Sequence, residues 1–255
     1  MTNSTAQQLW QARINATKLP IEFDGAPGTE AEAYQIQAEM IAASGWDVTG
    51  WKIGATNEGL FDMLGVSQPF LGPVFQRFTH DSGVDLEILD NQNIETEFTV
   101  RLKADLPARS DPYERAQIAA AVGGIHPSFE IVGARFEGEF AGAGCRIIAD
   151  GGANVGTVLG AEVRDFQNID LGNHGVTLSI NGRVVNEGHT SVLLWDHIFD
   201  ALGWILGQPT MSARGLRAGD IIMTGTCTGI TPLSPGDEAV VEFGDLGQVR
   251  AQFSS

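Results

Sequence analysis

The sequence predicts an α+β protein in which a small helical segment precedes a β-rich core. Near the N-terminus, two stretches carry helix-capping signals. From about residue 84 onward, short alternating segments follow one another and are separated by turn residues. The chain has 255 residues, which is enough for a main domain with a small appendage. We therefore expect a helical cap subdomain over residues 1–75 and a β-rich core over residues 76–255.

Two helices are predicted in the cap. Ser4 or Thr5 can begin the first helix, which runs to about Thr17, because a hydroxyl side chain caps free backbone amides. Thr29 can begin the second helix in the same way, and that helix runs to about Ala43. A short strand ending in glycine and threonine, VTGWKIGAT, follows them.

The core is expected to be built from short strands joined by tight turns. Asn181-Gly182 is a signal for a two-residue hairpin, and residues 244–247 suggest a longer one. Two helices interrupt the strands: one begins at Asp111-Pro112 and runs to about Val122, and an apolar one runs from Thr190 or Ser191 to about Gly207. The predicted strands are VDLEIL, IETEFTVRL, HPSFEIVGARF, CRIIAD, GTVLGAEV, GVTLSI, IIMTG, EAVVEF and QVRAQF.

The charge of the chain argues against two classes of partner. Its 15 basic and 32 acidic residues give a formal net charge of −17, which disfavours nucleic acid and anionic membrane surfaces. The longest apolar region, residues 192–207, is interrupted by polar residues and is too short to span a bilayer. The N-terminal residues offer no apolar stretch for a signal peptide. We therefore expect a cytoplasmic protein with Cys145 and Cys227 as free thiols.

The strand IETEFTVRL supplies the first candidate site. Its alternation places Glu95 and Glu97 on one face, with Ile94 and Phe98 on the other. Same-face neighbours in a strand lie roughly 6.6 Å apart at the backbone, so both carboxylates can reach one divalent ion. An ordinary solvated strand face is the alternative.

Glu130 adds a third acid in an apolar, strand-like run, where a charge needs a partner. Three carboxylates that leave positions open for water and substrate oxygens suit Mg²⁺ or Mn²⁺, which prefer oxygen ligands. Zinc is disfavoured because no His or Cys pair has ligand spacing.

Lys52, in the segment GWKIGAT, is flanked by apolar residues and glycines at the end of a strand. Beside a metal site its ammonium can hold a substrate carboxylate or enolate, or exchange a proton if its pKa is lowered. A snorkelling surface lysine is the alternative.

Two glycine-rich bends, around Asn154 and Thr226, can bring backbone and short polar side chains to a ligand, with plain turns as the alternative.

Several motifs together resemble one family. They are GWKIGAT, LGVSQPFLG at 64–72, the Glu-x-Glu of Glu95 and Glu97, PSFEIV with Glu130, IADGGANVGTVLG, LRAGDIIMTGT and the SPGD turn at 234–237. In this order, over nearly the whole chain, they resemble the 2-hydroxypenta-2,4-dienoate hydratase and 4-oxalocrotonate decarboxylase family, within the fumarylacetoacetate hydrolase superfamily.

The resemblance implies a mixed β-sheet roll around a metal site. Glu95, Glu97 and Glu130 would be the ligands of Mg²⁺ or Mn²⁺, Lys52 would be catalytic, and Asn154 and Thr226 would lie near the substrate. The implied substrates are small anionic 2-oxo or 2-hydroxy dienoic acids from the catabolism of aromatic compounds. A homo-oligomer is also implied and, for decarboxylases, a complex with a pathway partner enzyme.

One departure bears on the choice of reaction. Hydratases of the family usually carry an aspartate where this chain has Phe70, a position that faces the substrate, and phenylalanine cannot handle protons or orient water. Hydration is the first expectation, and decarboxylation is its alternative.

Hydrolysis of a C–C bond ranks third. Such hydrolases activate water with an early histidine, but no histidine precedes His80 here, and His126 is a weak substitute. A non-catalytic scaffold is disfavoured, since all three carboxylates and Lys52 are present.

Overall fold

Two β-sheets form the framework of the chain in the computed structural model, which describes residues 4–89 and 91–254. Within these residues, strands β1 to β13 are Val48–Gly54, Phe70–Phe75, Thr79–Asp81, Val84–Glu87, Asn93–Leu102, Val122–Val132, Asn154–Leu159, Gly175–Ile180, Arg183–His189, Ile221–Thr226, Thr231–Pro232, Glu238–Glu242 and Gln248–Ser254. Helices α1 to α6 are Thr5–Ile14, Glu30–Ser44, Gly59–Leu64, Arg115–Ala121, Gly144–Ala149 and Ile198–Leu206.

The larger sheet has eight strands in the order β2-β1-β10-β5-β6-β7-β3, with β11 paired to β5. It is mixed, because β1 pairs with β10 and β3 with β7 in parallel, whereas its other pairs are antiparallel. The smaller sheet has five strands in the order β4-β13-β12-β8-β9. The predicted α+β class with a mixed, rolled sheet is confirmed.

Aromatic residues of the larger sheet pack towards the smaller one. The rings of Phe98 and Phe243 meet edge to face with centroids 5.0 Å apart, and Phe129 lies 6.2 Å from Phe253. All four side chains are fully buried, so the main core lies between the sheets. Because side chains alternate along a strand, the residues flanking Phe98 and Phe129 face the other side of the larger sheet.

The predicted N-terminal caps are present. Ser4 forms a capping box with Gln7 at the start of α1, and Thr29 forms one with Glu32 at the start of α2. The predicted cap region also supplies β1 and β2 to the larger sheet, where β1 pairs with β10. The division at residue 75 stays a prediction, and the sheet takes strands from both sides of it.

Both predicted hairpins are present. Asn181 and Gly182 join β8 to β9 with φ of 52° and 72°, which is the left-handed conformation that this turn requires. Residues 244–247 join β12 to β13.

The strand predicted for CRIIAD and the helix predicted from Asp111 differ from the structure, and other elements were missed. The segment CRIIAD lies in helix α5, because Ile147 and Ile148 bury one helical face, and a short apolar run does not distinguish a helix from a strand. The helix expected at Asp111 begins only at Arg115, where Glu114 supplies the capping box. Helix α3 and strand β2 were not predicted.

The helix expected from Thr190 begins at Ile198. A single 3₁₀ turn covers residues 190–192, and the backbone amide of Leu194 then donates to the carbonyl of Thr56 at 3.0 Å. After that tertiary hydrogen bond the segment runs as a series of bends to His197, whose ring accepts from the amide of Phe199 and caps α6. No helix among the described residues has the length and apolar character needed to cross a membrane.

Candidate metal centre and active site

Strand register brings three carboxylates together. Glu95 and Glu97 project from the same face of β5, and the antiparallel pairing of β5 with β6 sets Glu130 directly opposite Glu95. One carboxylate oxygen from each residue can be chosen so that all three lie within 4.8 Å of one another. Glu97 and Glu130 are buried, with 1% and 0% of their surface exposed, and Glu95 is partly buried.

Such close carboxylates repel one another when all are ionised. Burial, reinforced by the charge of Glu130, raises the pKa of Glu95 to about 7, although Lys52 opposes the shift. Burial and the charges of Glu130 and Glu95 also raise the pKa of Glu97 well above its ordinary value. A cation that enters the cluster therefore stabilises it by relieving this repulsion.

The hydrogen bonds around these carboxylates leave specific oxygens free. Glu97 Oε2 accepts from the backbone amide of Gly225 at 2.8 Å, and Glu130 Oε1 accepts from Asn154 Nδ2 at 2.9 Å. Their other oxygens, Glu97 Oε1 and Glu130 Oε2, are buried and have no hydrogen-bond partner among the described residues. Unpaired buried carboxylate oxygens are costly, and three acidic oxygen donors are the ligand type of Mg²⁺ and Mn²⁺. The residues thus fit a divalent cation.

Lys52 faces the carboxylates from β1. Its Nζ lies 3.4 Å from Glu130 Oε1, and only 3% of the residue is exposed. Burial alone would lower the pKa of Lys52, but the three carboxylates outweigh burial and raise it. Lys52 is therefore a cation at neutral pH, and the lowered pKa considered for proton exchange is not found. A cationic lysine here donates hydrogen bonds to an anion.

Phe70 forms one wall beside this lysine. It lies on β2 opposite Gly54 of β1, and its ring centroid is 5.6 Å from Lys52 Nζ. A Cβ atom on Gly54 would come within 2.3 Å of the ring, so glycine is what lets the Phe70 ring pack against β1. The surroundings of Lys52 therefore combine an apolar wall with the acidic cluster.

Of the other two predicted site residues, Asn154 lies in contact with the acidic cluster and Thr226 lies beside it. Asn154 is fully buried at the start of β7 and contacts Glu130 directly. Thr226 lies opposite Glu97 in the β10–β5 register, but its hydroxyl donates to the carbonyl of Gly229 at 3.2 Å, within its own bend. Asn154 thus contacts the cluster, whereas Thr226 borders it.

Sequence reasoning missed Gly225 and Arg13. Gly225 has φ of +107°, which presents its amide to Glu97, and a Cβ there would come within 2.3 Å of Thr56 Oγ1. The glycine-rich bend around Thr226 pointed to Gly225, but the sequence did not show that its amide would contact Glu97. Arg13 contacts Asn154 across 141 residues of sequence, and no local sequence pattern predicts that contact.

His126 does not join the cluster. It lies four residues before Glu130 on β6, roughly 13 Å away along a strand. Its Nδ1 bonds to the carbonyl of Gly160 at 2.8 Å, and Arg101 Nε donates to its Nε2 at 3.2 Å. Both ring nitrogens are therefore engaged elsewhere, which removes the substitute histidine on which the hydrolase alternative depended.

Residues 76–254 match the family model described as fumarylacetoacetate (FAA) hydrolase, C-terminal, and the chain belongs to this family. It is 28% identical to 4-oxalocrotonate decarboxylase of Pseudomonas sp. (strain CF600), over 97% of this chain and 95% of that protein. It is 27% identical to 2-keto-4-pentenoate hydratase of Burkholderia vietnamiensis (strain G4 / LMG 22486), over 98% and 97%.

A solved structure with a similar fold is 4-oxalocrotonate decarboxylase from Pseudomonas putida G7, complexed with magnesium and adipate. Its TM-score is 0.88 at 27% identity, and the match covers 97% of this chain and 95% of that one. The same enzyme complexed with calcium and acetate gives a TM-score of 0.86. The family resemblance noted from the motifs is confirmed.

Metal binding should depend on pH because protons compete for the same oxygens. In the metal-free protein the pKa of Glu95 is about 7, so Glu95 is mostly protonated at pH 6 and mostly ionised at pH 8. We expect Mg²⁺ affinity to fall at least about tenfold per pH unit below 7, with at least one proton released on binding at pH 6. Calorimetry in buffers of different ionisation enthalpy measures this release. A pH-independent affinity between pH 6 and 8 would contradict the shifted pKa.

Proposed function

We propose that the chain is a divalent-metal-dependent lyase that adds water to a 2-hydroxy-2,4-dienoate or its 2-oxo-3-enoate tautomer, in the catabolism of aromatic compounds. The convergence of Glu95, Glu97 and Glu130 with Lys52 in one buried site carries this proposal. Membership of the FAA hydrolase family and similarity to hydratases and decarboxylases support it.

Glu95, Glu97 and Glu130 would hold Mg²⁺ or Mn²⁺ through the oxygens that hydrogen bonds leave free. A bound divalent cation supplies positive charge where negative charge develops on the 2-oxo group of the substrate. Gly225 keeps the second oxygen of Glu97 fixed, and Asn154 does the same for Glu130. These contacts orient the ligands before the cation arrives.

Lys52 supplies the remaining positive charge of the site. A chain with a net charge of −17 gains nothing from long-range attraction of an anionic substrate, so binding depends on local cations. The protonated Nζ can donate a hydrogen bond to the carboxylate or enolate oxygen of the substrate. This bond stabilises the negative charge that develops as the 2-hydroxyl loses its proton and the terminal carbon gains one, which converts the dienol into the 2-oxo-3-enoate. Hydration then adds the hydroxyl of water to the distal alkene carbon and a proton to its neighbour.

Decarboxylation is the alternative, and Phe70 favours it. In that reaction a distal carboxylate leaves as CO₂, and the electron pair of the broken C–C bond passes into the conjugated 2-oxo group. An apolar ring beside Lys52 cannot orient water, and it makes an ionised carboxylate nearby less stable than its neutral product. The TM-score of 0.88 with a decarboxylase is consistent with this alternative.

A parallel assay tests the proposal. The protein is supplied with Mg²⁺ and with either 2-hydroxypenta-2,4-dienoate or 2-oxohex-3-enedioate, the loss of substrate absorbance is followed, and CO₂ is measured in the second reaction. Turnover of the first substrate supports hydration, whereas CO₂ release from the second alone identifies a decarboxylase. Undiminished activity in the presence of a strong chelator would contradict the metal-dependent mechanism.

Exchanging Phe70 should shift the balance between the two reactions. We expect Phe70→Asp to raise the ratio of hydration to decarboxylation about tenfold, since a carboxylate at this position can orient water. Phe70→Leu keeps an apolar side chain and serves as the matched control, with an unchanged ratio. Both rates are measured on the two substrates above. Equal ratios in the two variants would remove this position from the choice of reaction.

Assembly and location remain predictions. We propose a homo-oligomer in the cytoplasm, with a pathway partner enzyme if the chain is a decarboxylase. Light scattering on the purified protein, alone and mixed with such a partner, measures both assemblies.

A further inference from the structure

We propose that Arg13, in the last turn of helix α1, is a positioning residue of the metal site that acts through Asn154 on Glu130. The inference rests on the proposed metal-dependent function and adds a residue from the predicted cap to it.

Arg13 is held firmly against the start of β7. Its Nη1 donates to the backbone carbonyl of Asn154 at 2.7 Å, and its Nη2 donates to the carbonyl of Val155 at 3.3 Å and to the side-chain Oδ1 of Asn154 at 3.4 Å. The guanidinium also lies 4.5 Å from the ring centroid of Phe78 and 5.2 Å from that of Phe75. These contacts fix the guanidinium plane.

A fixed guanidinium determines which way the Asn154 amide points. Arginine has only hydrogen-bond donors, so the amide must turn its oxygen towards Arg13. The amide NH₂ group then faces the opposite side, where Nδ2 donates to Glu130 Oε1 at 2.9 Å. Asn154 is fully buried, so bulk water cannot satisfy the amide in a flipped orientation. The positive charge of Arg13 beside Oδ1 also polarises the amide, which strengthens the hydrogen bond that Nδ2 donates to Glu130.

The orientation of Asn154 decides which oxygen of Glu130 is free. Oε1 accepts from Asn154 and lies 3.4 Å from Lys52 Nζ, whereas Oε2 is buried and has no hydrogen-bond partner within residues 4–89 and 91–254. If Asn154 flipped, its oxygen would face Oε1 and repel it, and the carboxylate would rotate away from its present position. Groups that orient a metal ligand in this way typically change metal affinity 10- to 100-fold when removed.

Arg13 uses its charge without a direct ion pair, and the charges of Asp150 and Glu130 act on it only from a greater distance. Among the described residues, no carboxylate lies within ion-pair distance of it, whereas the neighbouring Arg135 pairs with Asp150 at 2.7 Å. A side chain that only docked α1 onto β7 would not need a half-buried charge, because withdrawing a charge from water costs free energy. The contact with the Asn154 amide gives that charge a role.

Mg²⁺ titration calorimetry on Arg13→Met, Asn154→Leu and the double variant tests the inference. We expect each single variant to bind Mg²⁺ at least about tenfold more weakly than the wild-type protein. The double variant should bind within about twofold of the weaker single variant, because both substitutions remove one pathway. The inference would be overturned if the losses of Mg²⁺ affinity in the two single variants multiplied in the double variant. Wild-type affinity in Arg13→Met would also overturn it.

Arg146→Met is the matched control. Arg146 also donates to a backbone carbonyl, that of Ile21 at 3.2 Å, lies 5.7 Å from the ring centroid of Phe136, and has a buried Nε without a partner, but it has no contact with Asn154. We expect its Mg²⁺ affinity to stay within about twofold of wild type. An equal loss in Arg146→Met would show that weakened helix packing alone explains the effect.

If Arg13→Met shows no cooperative unfolding transition, Arg13→Lys decides. Lysine keeps the charge but cannot reach the backbone carbonyl and the amide oxygen with a rigid fork, so we expect about fivefold weaker binding. Wild-type affinity in that variant would overturn the positioning role. No saturable Mg²⁺ binding by the wild-type protein would refute the proposed function and the inference together, whereas wild-type binding with unaffected variants would refute the inference alone.

Discussion

Glu97→Gln is expected to abolish turnover while leaving the metal-free protein at least as stable as the wild type. Glu97 is 1% exposed, and one of its oxygens has no hydrogen-bond partner in the part of the chain that the structure describes. Glutamine keeps the shape and can still accept from the Gly225 amide, but it removes one of the three proposed charged ligands. We expect Mg²⁺ affinity to fall at least about a hundredfold.

Two measurements establish this result. Calorimetry gives the Mg²⁺ affinity, and thermal unfolding at pH 8 with a chelator gives the stability of the metal-free protein. Because the pKa of Glu97 is raised, its ionisation destabilises the folded state, so glutamine should raise the unfolding temperature or leave it unchanged. Glu242→Gln removes the same charge from an exposed position on β12 and is the control. Wild-type Mg²⁺ affinity in Glu97→Gln would exclude Glu97 as a ligand.

Lys52→Met should combine a large loss of activity with a conditional loss of stability. Lys52 is the buried cation beside Glu130, and removing one partner of a buried pair costs about 3–5 kcal/mol in general. We expect the metal-free variant to unfold at a lower temperature, and saturating Mg²⁺ to restore most of the difference, since the cation replaces the missing positive charge. Turnover should fall about 100- to 10,000-fold even with Mg²⁺ bound.

Lys103→Met is the control for this substitution, because Lys103 is exposed just beyond β5. Unfolding is followed with and without Mg²⁺, and turnover is measured at saturating metal. A Lys52→Met variant with unchanged turnover would remove the lysine from catalysis. A variant whose lost stability Mg²⁺ fails to restore would contradict the charge compensation between Lys52 and the metal.

Local patterns explain the part of the site that was predictable. Strict alternation in IETEFTVRL places Glu95 and Glu97 on one face whatever the strand pairs with, and the structure has them there. Glu130 was recognised as a charge in an apolar run, but its position opposite Glu95 depends on the register between β5 and β6. Register is set by the long-range packing of both faces, which a single strand does not contain.

Other features depend on contacts that no local pattern encodes. Arg13 and Asn154 meet across 141 residues, and the bent, non-helical segment before α6 forms a hydrogen bond from Leu194 to Thr56. The helix in CRIIAD was mistaken for a strand because tertiary burial, rather than propensity, decides so short an apolar run. Sequence reasoning therefore named the candidate site residues and most strands, and the structure added their mutual orientation.

The central claim is that Glu95, Glu97 and Glu130 share one divalent cation. Anomalous X-ray diffraction from crystals soaked in Mn²⁺ tests it most directly, because the ion is located without reference to activity. We predict one strong anomalous peak within about 2–2.5 Å of an oxygen from each of the three side chains. A peak elsewhere on the protein, or none at the three carboxylates under saturating Mn²⁺, would contradict the claim.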